Sequence, residues 1–277
     1  MAAESRIAVL GGGVMGEALV SGMLAAGKVA PEAVTVTDVR AARLSELSER
    51  LGVRVTQDNR AAVGAADLVI LAVKPGVVAG VLAEVRDSLV AGATVLSIAA
   101  GVPVAELEAA TPPEVAVVRA MPNSPCRVRE GALALVAGRG VTDAVRSRLT
   151  GLLEAVGLVF WVEESLIDVV TGLSGSGPAY VYMFLEALAD GAVKVGLPRQ
   201  LAQRLAAQTV LGAARLALAM GEHPAALKDQ VATPGGTTIA GLAVLEEGGF
   251  RSSALKAVVA AAARSAELAA QRKEAGK

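Results

Sequence analysis

The chain has 277 residues, 53% of them hydrophobic and 19% charged, which excludes a disordered polypeptide and allows one large domain or two of ordinary size. Lys and Arg number 26 against 27 Asp and Glu, and aromatics make up 2%, so the chain carries neither a broad basic footprint for nucleic acid nor a stacking platform for bases. A single cysteine, Cys126, excludes an internal disulfide and fits a reducing, cytoplasmic compartment. A single histidine, His223, excludes His-rich zinc sites, and no metal motif is present.

Met1–Arg6 leads straight into IAVLGGG, without the longer apolar stretch of a cleaved leader. The uncharged stretches Ser88–Ala105 and Val169–Leu185 are interrupted by Gly or Pro and read as buried core and loop, not membrane spans.

In chain order, Arg6–Leu10 is a β-branched run ending in Gly11-Gly12-Gly13, and helical spacing follows from Val14 to about Ala26. Val34–Thr37 is the next strand and Ala41–Leu51 the next helix, with Leu44, Leu47 and Leu51 on one face. Asp67–Val73 is nearly continuous apolar, as expected of a parallel strand buried on both faces. A helix to about Leu89, strands at Ala93–Ala99, Val115–Arg119 and Leu133–Val136, a helix near Asp143–Val156 and a strand at Leu158–Val162 complete the alternation. This pattern predicts a doubly wound, mostly parallel α/β sheet of Rossmann type over residues 1–163.

After Glu163 the reading is all helix: Ala179–Val195, Arg199–Met220, Ala225–Val231, Thr237–Glu247 and Ser252–Lys273, with Gln271–Lys277 as a frayed polar tail. These helices are Ala- and Leu-rich and apolar on more than one face, so residues 164–277 are expected to form a dimerisation domain buried against a second chain.

Gly11-Gly-Gly13-Val-Met-Gly16 is a G-x-G-x-x-G that follows a strand, opens a helix and precedes an acid, Asp38, at the end of the next strand. Gly11 permits the tight turn, Gly13 lets the backbone approach a pyrophosphate at the helix N-terminus, and Gly16 lets helix and strand pack closely. Asp38 is placed to accept adenosine ribose hydroxyls, which favours NADH. Arg40 is placed to clamp a 2′-phosphate, which favours NADPH, and the sequence leaves the two open. Ala72 and Val73 end one strand and Lys74-Pro75 follow it; Ala99 ends another, with Ala100 and Gly101 after it. Both sets fall at the carboxyl ends, where open α/β sheets bind ligands.

In the second half, Leu173-Ser-Gly-Ser-Gly-Pro178 reads equally as an anion site and as a Gly-rich hinge with a helix cap. Pro234-Gly-Gly-Thr-Thr238 puts consecutive amides at a helix start, a natural carboxylate site, with Thr233 and Thr237 as caps and Thr238 adding a hydroxyl that donates and accepts. His223, before Pro224, reads as a cap, and Cys126 as a packing residue.

These residues resemble pyrroline-5-carboxylate reductases over essentially the whole chain. The pieces are GGGVMG, Ala72-Val-Lys-Pro75, Ser97-Ile-Ala-Ala-Gly-Val102, Arg119-Ala-Met-Pro-Asn-Ser-Pro125, Ser174-Gly-Ser-Gly-Pro-Ala-Tyr180, Glu222-His-Pro224, Leu227-Lys-Asp229, Pro234-Gly-Gly-Thr-Thr-Ile239, Leu245-Glu246 and Gly249-Phe-Arg251. The resemblance implies NADPH- or NADH-dependent reduction of Δ1-pyrroline-5-carboxylate to L-proline by a homodimer, with decamers in many members. It places Gly12, Val14 and Met15 at the pyrophosphate turn, Asn59 at the adenosine ribose, and Val73, Lys74 and Ala100 along the cofactor groove. Glu164, Thr237 and Thr238 would contact the substrate, its carboxylate taken by the amides around Gly236–Thr238 and its ring nitrogen by the Thr238 hydroxyl. Thr171 and Ser176 are further pocket candidates.

Two other readings are weighed against this one. A β-hydroxyacid dehydrogenase of similar plan needs a Lys acid/base group where this chain has Val181. A dinucleotide sensor without turnover has no use for a second anion pocket.

Overall fold

The computed structural model of the chain describes residues 5–275. In chain order its main elements are β1 (Ile7–Leu10), α1 (Val14–Ala25), β2 (Val34–Thr37), α2 (Ala41–Leu51), β3 (Arg54–Thr56), α3 (Asn59–Val63), β4 (Leu68–Leu71), α4 (Val78–Val85), β5 (Thr94–Ser97), α5 (Val104–Ala110), β6 (Ala116–Met121), β7 (Gly131–Ala137), α6 (Asp143–Leu153) and β8 (Gly157–Trp161). There follow α7 (Ile167–Val170), α8 (Gly177–Lys194), α9 (Arg199–Met220), α10 (Pro224–Val231), α11 (Thr237–Glu247) and α12 (Phe250–Ala275).

The strands form one eight-stranded sheet in the order β3-β2-β1-β4-β5-β6-β7-β8. Every neighbouring pair is parallel except β6 with β7. The expected doubly wound, mostly parallel sheet is therefore present. β1 and β4 are buried along their whole length, which is why they read as continuous apolar runs. Two apolar cores cover the two faces: Leu19, Met23, Leu47 and Leu153 on one, and Leu82, Val85, Leu107 and Ile167 on the other. Each such side chain contributes about 1.5–3 kcal/mol by leaving water.

Several expectations need correction. β3, α3 and α5 were not foreseen. The helix expected to run from Pro75 to Leu89 is α-helical only over α4, with single 3₁₀ turns on either side. Val169–Leu185 is not buried core and loop: it is helical, with a π-helical turn at Thr171–Gly175 leading into α8. The polar tail from Gln271 is not frayed within the described residues. α12 runs to Ala275, and Arg272 Nη2 donates to Glu106 Oε1 at 3.1 Å.

Two compact units divide between Gly175 and Ser176, and α12 from Ala261 belongs with the first. This is later than the change in composition after Glu163, because Ile167 and Val170 of α7 pack into the first unit's core.

The second unit, Ser176–Ala260, buries little of itself. Ala189, Ala202 and Ala206 form its buried centre, edged by Leu185, Ala192, Val193 and Leu197. Met183 (74% exposed), Leu218 (70%), Val244 (67%) and Leu255 (65%) face outward. No helix of the described residues is long and apolar enough to cross a membrane.

Candidate active site

Thr37, Leu10, Leu71, Ser97 and Arg119 form one row across the sheet, each in register with the next. The chain leaves the parallel strands just beyond this row, so Asp38, the Gly11–Gly16 loop, Ala72–Pro75 and Ala99–Gly101 emerge at a single edge. Sequence position alone would scatter them.

The glycine loop is explained partly by the protein and partly by space left open. Gly11 has φ +110°, and a Cβ there would lie 2.6 Å from the Ala72 carbonyl oxygen. At Gly16 a Cβ would collide with the Gly11 carbonyl oxygen and stand 3.1 Å from Ala72 Cβ. Both glycines serve the turn and the helix–strand packing. Gly13 differs: a Cβ there meets nothing within 4 Å. It is the N-cap of α1 and uses no side-chain cap, so the first amides of α1 are free to meet an anion. Val14 beside it is 64% exposed. Met15 packs partly against the core. A bare backbone at a helix start fits a pyrophosphate.

On the β2 side, Asp38 Oδ2 accepts the Gly12 N–H at 3.2 Å, and Arg40 Nε donates to Asp38 Oδ1 at 3.1 Å. Burial pushes the Asp38 carboxyl up, but the Arg40 hydrogen bonds and charge, with the Gly12 N–H, outweigh it and hold the acid below its ordinary value. Arg43 Nε donates to the Gly12 carbonyl at 2.8 Å. This support of the loop was not read from the sequence, which assigned Arg43 no role. Thr37 Oγ1 donates to Asn59 Oδ1 at 2.6 Å, which brings Asn59 to the end of β2 beside Asp38, and Asn59 Nδ2 donates to Glu84 Oε2.

Beyond β4, Ala72, Val73 and Pro75 are half-buried and Lys74 is exposed. Beyond β5, Ala99 is buried, held by its N–H to Ser97 Oγ at 3.3 Å, while Ala100 is exposed and Gly101 turns at φ +71°. Arg119, on β6, is buried, and its Nη1 donates to Glu164 Oε1 at 2.9 Å. The same oxygen accepts the Val104 N–H at the start of α5, at 2.8 Å. Glu164 is thus fixed by two donors from two elements. Arg119 begins the Arg119–Pro125 segment, and the sequence assigns it no role; a charge at the end of an otherwise apolar strand is the signal that marks it. Asn123 was passed over too: its Nδ2 donates to the Ser174 carbonyl, which ties the π-helical turn to the loop after β6. In that turn Thr171 Oγ1 donates to the Ile167 carbonyl at 2.7 Å.

Ser176, Gly236, Thr237 and Thr238 belong to the second unit. Gly235 has φ +66°, and Gly236 donates its N–H to the Thr233 carbonyl at 3.1 Å. A Cβ on Gly236 would collide with Thr233 Oγ1, so the turn requires glycine there. α11 then opens at Thr237 with Gly236 as N-cap and no side-chain cap. The expectation that Thr233 and Thr237 cap this helix is therefore corrected: Thr233 lies in the turn and Thr237 already inside the helix. With no cap in place, the amides at the start of α11 stay open to a carboxylate. Ser176 is the N-cap of α8, with Pro178 in its first turn, and its side chain makes no cap bond. His223 Nδ1 accepts the Ala225 N–H at 3.2 Å and caps α10. Cys126 is buried, and burial pushes its thiol up, as suits a packing residue. Among the described residues no cluster of three His, Cys, Asp or Glu is placed to hold a metal. A concavity of about 890 Å³ opens where β1, β2 and β3 begin, lined by Arg6, Thr35, Arg54 and Asp67, away from the edge that carries the site.

Residues 164–268 match the family described as pyrroline-5-carboxylate reductase dimerisation, and residues 6–101 match the one described as NADP oxidoreductase coenzyme F420-dependent. The chain is 45% identical to the pyrroline-5-carboxylate reductase of Methanosarcina acetivorans, covering 96% of this chain and 98% of that one. Its fold matches the solved pyrroline-5-carboxylate reductase of Coxiella burnetii with a TM-score of 0.90 at 40% identity, covering 96% and 98%. The NADP-bound pyrroline carboxylate reductase of Plasmodium falciparum matches with a TM-score of 0.83 at 30% identity, covering 94% and 97%.

Proposed function

Because the chain belongs to the pyrroline-5-carboxylate reductase family, we propose that it reduces the C=N bond of Δ1-pyrroline-5-carboxylate to give L-proline, the last step of proline synthesis, with NAD(P)H as the reductant. The observation that carries this reading is the open space at Gly13 on the uncapped start of α1, at the carboxyl edge of the parallel strands.

The bound dihydronicotinamide supplies the hydride. The chain's part is to bind and orient. Gly11–Gly16, with Val14 and Met15, hold the pyrophosphate. Asp38, Arg40 and Asn59 meet the adenosine ribose, and Ala72–Pro75 with Ala99–Gly101 line the rest of the groove. The N–H groups at Gly236–Thr238 take the substrate carboxylate. Thr238 Oγ orients the ring nitrogen; its hydroxyl pKa is far too high for it to serve as a strong acid. Glu164 keeps its second carboxylate oxygen for the substrate while Arg119 and Val104 hold the first. Thr171 in the first unit and Ser176 in the second are further candidates for contacting the substrate.

The functional division we assign falls at residue 164, where the dimerisation match begins, giving a cofactor part at 1–163 and a dimerisation and substrate part at 164–277. The outward apolar residues of the second unit support a homodimer through this part, and dimers of this kind can stack into decamers. A single buried cysteine and a nicotinamide-dependent reaction suit the cytoplasm.

The test is a melting experiment. Proline should raise the melting temperature strongly when cofactor is present and little without it. A shift that ignores cofactor contradicts an ordered site for both.

A further inference from the structure

The end of β2 holds an acid among cations that are already engaged. The Asp38 side chain is 9% exposed. Its Oδ1 accepts the Arg40 N–H at 3.0 Å and Arg40 Nε at 3.1 Å; its Oδ2 accepts the Gly12 N–H at 3.2 Å and Arg40 Nη2 at 3.3 Å. Two of these four donors are main-chain groups, so the carboxylate stays in place even if the Arg40 side chain leaves. The next cation, Arg43, donates to the Gly12 carbonyl and pairs with Glu17 and Glu46. Arg50 also pairs with Glu17.

We propose that Asp38, anchored by Gly12 and the Arg40 main chain, makes this chain select NADH over NADPH; the inference rests on the reading of Gly11–Gly16 as a dinucleotide loop. A free ribose diol needs only to displace the Arg40 guanidinium, whose side chain is 64% exposed and can turn back into water, and then donates to Asp38. A 2′-phosphate places a second anion against Asp38. Arg40 cannot answer both charges: turning to the phosphate leaves the carboxylate unneutralised beside it, and Arg43 is held by its own acids.

The test is calorimetric titration of the full chain with ADP-ribose and with 2′-phospho-ADP-ribose, which reads the adenosine end without turnover. ADP-ribose should bind at least roughly tenfold more tightly, and the kcat/KM ratio for NADH over NADPH should follow. Asp38→Asn, which keeps the side chain's shape, and Asp38→Ser should each bring the two ligands to within roughly threefold or reverse them. Equal or tighter binding of the 2′-phosphorylated ligand by the unaltered chain overturns the proposal. So does a preference that survives both substitutions in protein shown by circular dichroism to be folded. If folded protein binds neither ligand, the dinucleotide reading itself falls, and this inference with it.

Discussion

Arg119 and Glu164 are joined by a hydrogen-bonded ion pair of 2.9 Å, in which the arginine side chain is 8% exposed and the glutamate 38%. The arginine is buried in the sheet and the glutamate reaches solvent, so the pair carries the position of the rigid strand β6 out to the active-site edge. Val104 N–H fixes the same glutamate oxygen, which sets the direction of the carboxylate as well as its place.

Arg119→Met should therefore cost about 1.5–3 kcal/mol of stability, the range for a hydrogen bond to a charged group. It should also raise KM for pyrroline-5-carboxylate more than it lowers kcat, with Kd for the dinucleotide unchanged. Arg119→Lys should recover part of the KM effect. Chemical denaturation, steady-state rates and a cofactor titration check these three points.

Gly13 and Gly16 separate binding from folding. Gly16→Ala places a methyl against the Gly11 carbonyl and Ala72, and should lower stability by about 1–3 kcal/mol. Gly13→Ala meets no protein atom within 4 Å, so the melting temperature should hold while dinucleotide affinity falls at least tenfold. Thermal melts and fluorescence titration of the cofactor distinguish the two.

Asp38 also makes a pH-dependent contribution to stability. Its folded pKa lies below the ordinary 3.8 because the Arg40 and Gly12 bonds outweigh the upward push of burial. A depressed acid stabilises the fold above its unfolded value, and the contribution is lost as pH falls through the folded value. Asp38→Asn should be less stable than the unaltered chain at neutral pH, with the gap closing below 3.8. Urea unfolding across that window measures it.

Thr238→Ala should fold and bind dinucleotide normally while losing most of kcat/KM. Thr238 is the second residue of α11, in its first turn, and is not the cap, so removing its hydroxyl leaves the helix start intact. Unchanged kcat/KM removes Thr238 from the mechanism.

Long periodic elements were legible in the sequence to their ends: α2, α9 and α11 start and stop where apolar spacing and the flanking Gly or Pro placed them. β3 and α3, of three and five residues, are too short to show a period, and they exist because β2 and α4 pack beside them. The glycine loop and Asp38 were legible because their meaning is local: strand, turn, helix and a following acid. The Arg119–Glu164 pair was not, since 45 residues separate its partners and only the sheet register brings them together. The balance between Asp38 and Arg40 was equally closed to sequence reading, because it turns on which acids hold Arg43 and on the main-chain donors to Asp38. The caps assigned to Thr233 and Thr237 failed for a related reason. The helix starts at Thr237 as expected, but the tight turn at Gly235 and Gly236 puts the cap position on Gly236, a residue without a side chain.

The most direct measurement is the initial rate with Δ1-pyrroline-5-carboxylate and each of NADH and NADPH, with proline quantified as product. The expected result is saturable oxidation of the dinucleotide matched one for one by proline. Folded, dinucleotide-binding protein that forms no proline with either cofactor would contradict the assignment.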